Sequence, residues 1–257
     1  MKRFLAMLGF LSLQGVAVAH FHILIPENPL PKKGDEVRVV YRFGHPFEHE
    51  IQDAAKPARG RVICPDGKVL DISQRFQPFK DREGKRGFSV SFMAEQRGDY
   101  VLVAESPPFP FSEVGEFLQD TTKVVVHVQS QKNWDAGLGQ LLEIQPLNRP
   151  YGIFPGMAVN FRLADLPKDI TVPAKGWLFE WEKFNHAPPK DIPSPEWVTF
   201  SAKGDDRGRV TVTPNQLGWW VVSTTSEPVE GLVDGKKARI SKRTSFWFHV
   251  GSLQEGK

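Results

Sequence analysis

The sequence is short of three things, and each shortage excludes a class of protein. It contains one cysteine, Cys64, so no disulfide can form within the chain whatever compartment it occupies. The thiol sits in Val62-Ile63-Cys64-Pro65-Asp66-Gly67 with no His or basic residue beside it, and reads as a small apolar residue at a strand end. Net charge is the second shortage. Outside residues 1–19 there are 31 Lys and Arg against 30 Asp and Glu, a balance that creates no general field for nucleic acid or an anionic membrane. The third is apolar length. Beyond residue 19 no run approaches the roughly eighteen residues of a membrane span. Also absent are a Gly-x-Ser-x-Gly elbow, a phosphate loop, a dinucleotide fingerprint and a His-Glu-x-x-His helix, each a frequent carrier of catalysis.

What is present begins at the N-terminus. Lys2 and Arg3 precede a mostly apolar stretch from Phe4 to Val18, and Ala17-Val18-Ala19 matches the small-x-small cleavage pattern. Residues 1–19 therefore read as a secretory signal, too short for an anchor, and the protein as periplasmic or otherwise exported. Cleavage after Ala19 would free an α-amine on His20, with a second imidazole on His22. The remaining 238 residues suffice for one large or two ordinary domains.

Period-two patterning dominates this remainder, and helical stripes are scarce. Glu36 to Phe43 alternates charged with apolar residues, Gly87 to Phe92 alternates strictly, and Arg61 to Asp71 places two apolar runs around a Pro-Asp-Gly turn. Lys123 to Val128 closes the first half, and a further set of strands runs from Leu141 to Val250. Short strands separated by Gly, Pro and Asp turns predict an all-β chain of two β-sandwich domains, at 20–131 and 137–251. The stretch from Ser106 to Asp120 is aromatic, proline-rich and acidic, and long for a hairpin loop.

The ligand-bearing residues cluster early. At the new terminus two geometries compete. In one, the amine and ring of His20 chelate an ion and an imidazole from elsewhere completes a T-shaped set. In the other, the amine, two amides and the His22 ring form a square plane, which favours Cu(II) or Ni(II). A strand over residues 20–25 would put His20 and His22 on one face and favour the folded site. Gly44-His45-Pro46-Phe47-Glu48-His49 follows a strand, so His45, Glu48 and His49 lie in a loop able to converge on a ligand. Glu116 and Asp120 either complete such a site, orient a His, or face solvent. His127 and His249 alternate with core residues and read as structural. His186 lies in a loop far along the chain. Adjacent Trp219 and Trp220 should face opposite ways on a strand, so most tryptophans are expected in the core.

Several phrases carry a resemblance: Ala19-His20-Phe21-His22-Ile23-Leu24-Ile25-Pro26, Gly44-His45-Pro46-Phe47-Glu48-His49, Arg97-Gly98-Asp99-Tyr100, Gly115-Glu116-Phe117-Leu118-Gln119-Asp120, Arg149-Pro150-Tyr151-Gly152 and Gly218-Trp219-Trp220. In these the chain resembles a family of exported bacterial proteins, a domain of unknown function associated with nickel or cobalt uptake in the periplasm. The resemblance spans nearly all of the mature chain. It implies a C-terminal half like a transthyretin or carboxypeptidase-regulatory β-sandwich. It also implies nickel or cobalt as the ion, with copper or zinc as alternatives, and an energy-coupling-factor type metal transporter as partner. The expected role is capture and delivery by a metal-binding protein that is not an enzyme, with His20, His22, His45, His49 and Glu48 as the ligand pool. Two other readings stand beside it: a copper enzyme with an N-terminal His brace, and a carbohydrate- or protein-binding sandwich that uses no metal.

Overall fold

The computed structural model describes residues 20–111, 115–139, 141–164 and 170–252. The expected leader at 1–19 and the middle of the acidic loop, at 112–114, lie outside the described residues. In chain order the strands are β1 (Phe21–Pro26), β2 (Glu36–His45), β3 (Glu50–Gln52), β4 (Arg59–Ile63), β5 (Val69–Asp71) and β6 (Gln77–Lys80). Next come β7 (Arg86–Met93), β8 (Gly98–Glu105), β9 (Phe109–Pro110), β10 (Glu116–Val128), β11 (Ile144–Pro146) and β12 (Val159–Leu163). The last six are β13 (Leu178–Lys183), β14 (Phe200–Lys203), β15 (Arg209–Val212), β16 (Gly218–Thr225), β17 (Val229–Val233) and β18 (Lys236–Val250). No α-helix occurs among the described residues; Ser73–Arg75 and Pro195–Trp197 are single 3-10 turns.

These strands form an all-β sandwich of three sheets. A first sheet has the order β1-β2-β7-β6, with β3 added to β2. A central sheet of ten strands runs β14-β13-β16-β18-β10-β8-β4-β5, with β17 and β9 paired to β18 and β10. A small third sheet is β11-β12-β15. Alternation along the strands explains the layering. On β10, Val124, Val126 and Val128 enter one apolar cluster with Ile23, Val39 and Tyr41 of the first sheet. Val125 points the other way, into a second cluster with Ile144 and Phe161 of the third sheet. Trp219 and Trp220 divide between the two clusters in the same manner, as their adjacency required. The central sheet is thus covered on both faces, and all eight residues of β8 are buried.

The segment Gln129–Gly139, where sequence composition suggested a boundary, carries no strand. On either side of it the chain contributes to the same central sheet: β4, β5, β8, β9 and β10 before, β13, β14, β16, β17 and β18 after. The join is the parallel pair β10 and β18, from Glu116 opposite Arg239 to Val124 opposite Trp247. That ladder stops there although β10 continues to Val128 and β18 to Val250. The acidic stretch expected as one loop to Asp120 is a loop only in part. Glu116–Asp120 already belongs to β10, and Phe117 and Leu118 pair with β9.

Candidate metal centre

β1 and β2 are antiparallel with Phe21 opposite Gly44, so one step back from Phe21 and one step on from Gly44 His20 faces His45. The two rings meet edge to face, their centroids 3.9 Å apart and their planes at 62°. Directly opposed side chains on one sheet face are natural neighbours, and here both carry imidazole. Phe43 stacks on the His20 ring at 5.4 Å. The Gln52 side-chain amide, from β3, lies 2.7 Å from His20 Nε2. The contacting atom is the Gln52 amide nitrogen, so its NH2 donates and His20 Nε2 accepts. Burial is the main cause that lowers the His20 pKa to about 4, with the charges of His45 and Arg243 adding to it and Glu50 opposing. The ring is neutral at pH 7, the form in which imidazole binds a metal.

Gly44 makes this approach feasible. Its φ is +155°, and a Cβ there would lie 2.2 Å from the Glu50 carbonyl oxygen, a gap no side chain can occupy. Without that side chain β3 can close onto β2, pairing His45 with Glu50. Beyond His45 the chain turns through Pro46 to His49. Glu48 leans back on His45, its Oε2 3.9 Å from Nδ1, and that oxygen is buried with no hydrogen-bond partner. The turn is anchored to β13 and the segment after it: Phe47 N–H donates to Glu182, Asn185 N–H to the Pro46 carbonyl, and the Asn185 amide to the Phe47 carbonyl. Glu182 also accepts from Thr199. Burial raises its pKa to about 8, assisted by Glu48 and Glu180, despite those two hydrogen bonds.

The other two histidines of the pool are engaged elsewhere. His22 is 3% exposed, enclosed by Tyr41, Phe43 and Phe109. Its Nδ1 lies 2.6 Å from Asp120 Oδ2, and its carbonyl accepts from Thr122 and Trp247. Asp120 in turn receives Arg243 at 2.7 Å on Oδ1 and 2.6 Å on Oδ2, while Arg243 also donates to the His20 carbonyl. Burial alone would raise the Asp120 pKa; Arg243 and the His22 hydrogen bond hold it at about 2. A square plane through the His22 ring would require that ring to leave Asp120 and β1 to unzip from β2. His49 has a left-handed backbone (φ 56°), and its Nδ1–H donates to the Asn185 carbonyl at 2.7 Å. Its ring lines a separate cleft with Arg42 and His186.

The structure therefore brings His20 and His45 together, sets Glu48 beside them, buries His22 as a support and turns His49 away. Among the described residues no three His, Cys, Asp or Glu side chains converge as a metal site. Sequence reasoning missed Gln52, Glu182 and Arg243. Nothing local marks them, since each acts across 32 to 223 positions. For Asp120 the orienting role is the one the fold realises.

The profile of a family described as a domain of unknown function, DUF4198, matches residues 17–227. The chain belongs to that family. The DUF4198 match takes in His20, His45, Glu48 and Asp120, while Arg243 lies beyond it. No curated protein matches the sequence. Among solved structures, this DUF4198 chain is similar to a DUF4785 family protein from Legionella pneumophila, at 10% identity over 81% of this chain and 53% of that one, TM-score 0.31. It thus spans about half of that protein's length. It is also similar to a Salmonella alpha-2-macroglobulin mutant, at 12% identity over 91% of this chain and 15% of that one, TM-score 0.27. A third is the Yersinia pseudotuberculosis adhesin InvE, at 10% identity over 87% and 58%, TM-score 0.23.

Proposed function

We propose that this DUF4198 protein is an exported carrier of a late transition-metal ion. The ion is held by the α-amine and ring of His20, freed by cleavage after Ala19, together with the ring of His45. The observation that carries the reading is the 3.9 Å contact between those rings, which puts two imidazole rings beside the point where the amine would be released. An amine is not a side chain, so three donors exist here although no three side chains converge. Nitrogen donors of this kind suit Ni(II), Cu(II) and Co(II), and the family resemblance selects nickel or cobalt uptake, with delivery to a transporter. His22 and Asp120 act as supports that fix β1 beneath the site. Glu48 supplies the nearby negative charge.

The test is isothermal titration of Ni(II), Co(II), Cu(II) and Zn(II) into protein recovered from the periplasm, its N-terminus established by intact mass. One ion bound tightly per chain is expected. An alanine placed before His20 moves the amine away from the ring and should abolish tight binding while leaving the fold intact. Undiminished binding by that extended protein, or no binding by a correctly processed one, overturns the reading.

A second reading, a copper enzyme, draws on one observation: His20 is only half-buried, so an ion there would keep a face toward solvent. Copper-loaded protein that consumes oxygen and reductant with turnover would establish it; simple retention of copper would not.

A further inference from the structure

The far end of the central sheet holds a second cavity that the metal reading does not use. From Asp120 to His127 is seven residues along β10, about 23 Å at 3.3 Å per residue, so this cavity is remote from His20. It opens where the β10–β18 ladder ends at Val124 and Trp247 while both strands run on. Each strand keeps its outer partner there, Val128 opposite Gly98 of β8 and Val250 opposite Gly218 of β16. The sheet therefore forks, and a cavity of about 500 Å³ occupies the fork, lined by Val125 and His127 on one limb and His249 and Trp219 on the other. Arg149, Tyr151 and Phe154 line it from the segment that follows the crossing, where Ile153 bridges to Val250. The volume lies within the range of small-molecule sites.

Two polar groups of this cavity, His127 and Tyr151, are held from behind by a third residue. Asp99, fully buried, sits behind His127 and is met by three donors. His127 Nδ1 is 2.7 Å from Oδ1, the Lys132 amide 2.8 Å from Oδ2, and the Tyr151 hydroxyl 3.1 Å from Oδ2. With Nδ1 taken, Nε2 is the His127 nitrogen left for a ligand. The His127 and Tyr151 rings stack at 3.9 Å, and the Arg149 guanidinium lies 6.0 Å from the Tyr151 ring. Among the described lining residues Arg149 is charged and none is acidic. Tyr151, Phe154 and Trp219 give it aromatic surface, Leu30, Val125 and Ile153 aliphatic surface, and Gln129 to Gln131 an uncharged polar edge. Asp99, Arg149 and Tyr151, and Trp219 come from three of the phrases singled out in the sequence, Arg97–Tyr100, Arg149–Gly152 and Gly218–Trp220, which no other part of the structure explains together.

We propose that the fork of the central sheet binds a small organic anion with a planar apolar body. Its charged group meets Arg149, and its ring lies among Tyr151, Phe154 and Trp219, against the His127 edge. A buried carboxylate that takes both His127 and Tyr151 keeps their orientations constant before the ligand arrives, so little ordering accompanies binding.

The proposal is tested with benzoate, which pairs one carboxylate with one ring, and with benzamide, its uncharged counterpart. Binding is followed by NMR through the Trp219 indole N–H of the full mature protein. Saturable displacement of that resonance by benzoate at millimolar concentration is expected, with benzamide at least about tenfold weaker. Arg149 is exposed, so Arg149→Gln should fold normally and bring benzoate down to the benzamide level. Absence of any benzoate effect on Trp219, equal binding of the two compounds, or an unchanged preference in Arg149→Gln each overturns it.

Discussion

Asp120 and Arg243 stand opposite each other in the parallel ladder of β10 and β18, 123 residues apart in the chain, joined by two hydrogen bonds of 2.6 and 2.7 Å. Both are essentially buried. The pair turns the parallel ladder of β10 and β18 into a brace for β1, because Asp120 holds the His22 ring and Arg243 holds the His20 carbonyl.

Asp120→Asn leaves the Arg243 charge buried without its counterpart. Removing one member of a buried pair costs about 3–5 kcal/mol, so thermal unfolding should move down by about 10 °C for a chain of this size. The acid limb should change too. Asp120 is ionised in the fold down to about 2 against an ordinary 3.8, so its contribution is complete above the ordinary carboxylate range and lost as pH falls toward 2. Circular dichroism melts between pH 5 and pH 2 should show that loss in the parent protein and its reduction in the variant.

His45→Ala should remove tight metal binding, and His49→Ala should leave it within about twofold, although both histidines lie in the same five residues. Only the His45 ring meets His20; His49 is tied to the Asn185 carbonyl. Equal loss in the two variants by calorimetry would contradict the geometry.

Gly44→Ala places a methyl group 2.2 Å from the Glu50 carbonyl oxygen. β3 must then move away from β2. The expected result is a loss of about 2–4 kcal/mol in stability, together with weaker metal binding than in the parent. Chemical denaturation and the same titration check both.

Glu182 reverses the usual sign of a carboxylate. Buried, it ionises in the fold near pH 8 rather than near 4.5. Between those values the unfolded chain has already lost the proton that the folded chain keeps, so stability falls as pH rises from 5 to 8, by at most about 1.4 kcal/mol per pH unit. Glu182→Gln should flatten that slope in melts across the same range. An unchanged slope would show that another group is responsible.

Much of this fold is legible from alternation alone. Glu36–Phe43, Arg61–Asp71 and Gly218–Ser223 announce strands by period and turn, and the opposite facing of Trp219 and Trp220 follows from adjacency. Cys64 is buried and burial raises its pKa, in keeping with an inert apolar role. The hairpin of β17 and β18 was missed, although Asp234-Gly235, both at positive φ, joins Val233 to Lys236 in a two-residue turn with a known sequence preference. The shared central sheet was not readable, because parallel pairing of β10 with β18 depends on partners more than a hundred residues apart. For the same reason His20 and His45 were legible as candidates but not as neighbours; their meeting is a matter of register. Trp197 departs from the expected aromatic core, being 73% exposed at the end of a 3-10 turn.

The span between His20 and Arg243 also fixes an order of events. A chain emerges from the ribosome at about 5–20 residues per second, so Arg243, 223 positions after His20, follows it by on the order of ten seconds or more. Until β18 arrives, Asp120 has no guanidinium and the middle of the central sheet is missing. The first described strand is thus seated by the last described one, and the histidines at its head stay unassembled until the chain has been made through Arg243.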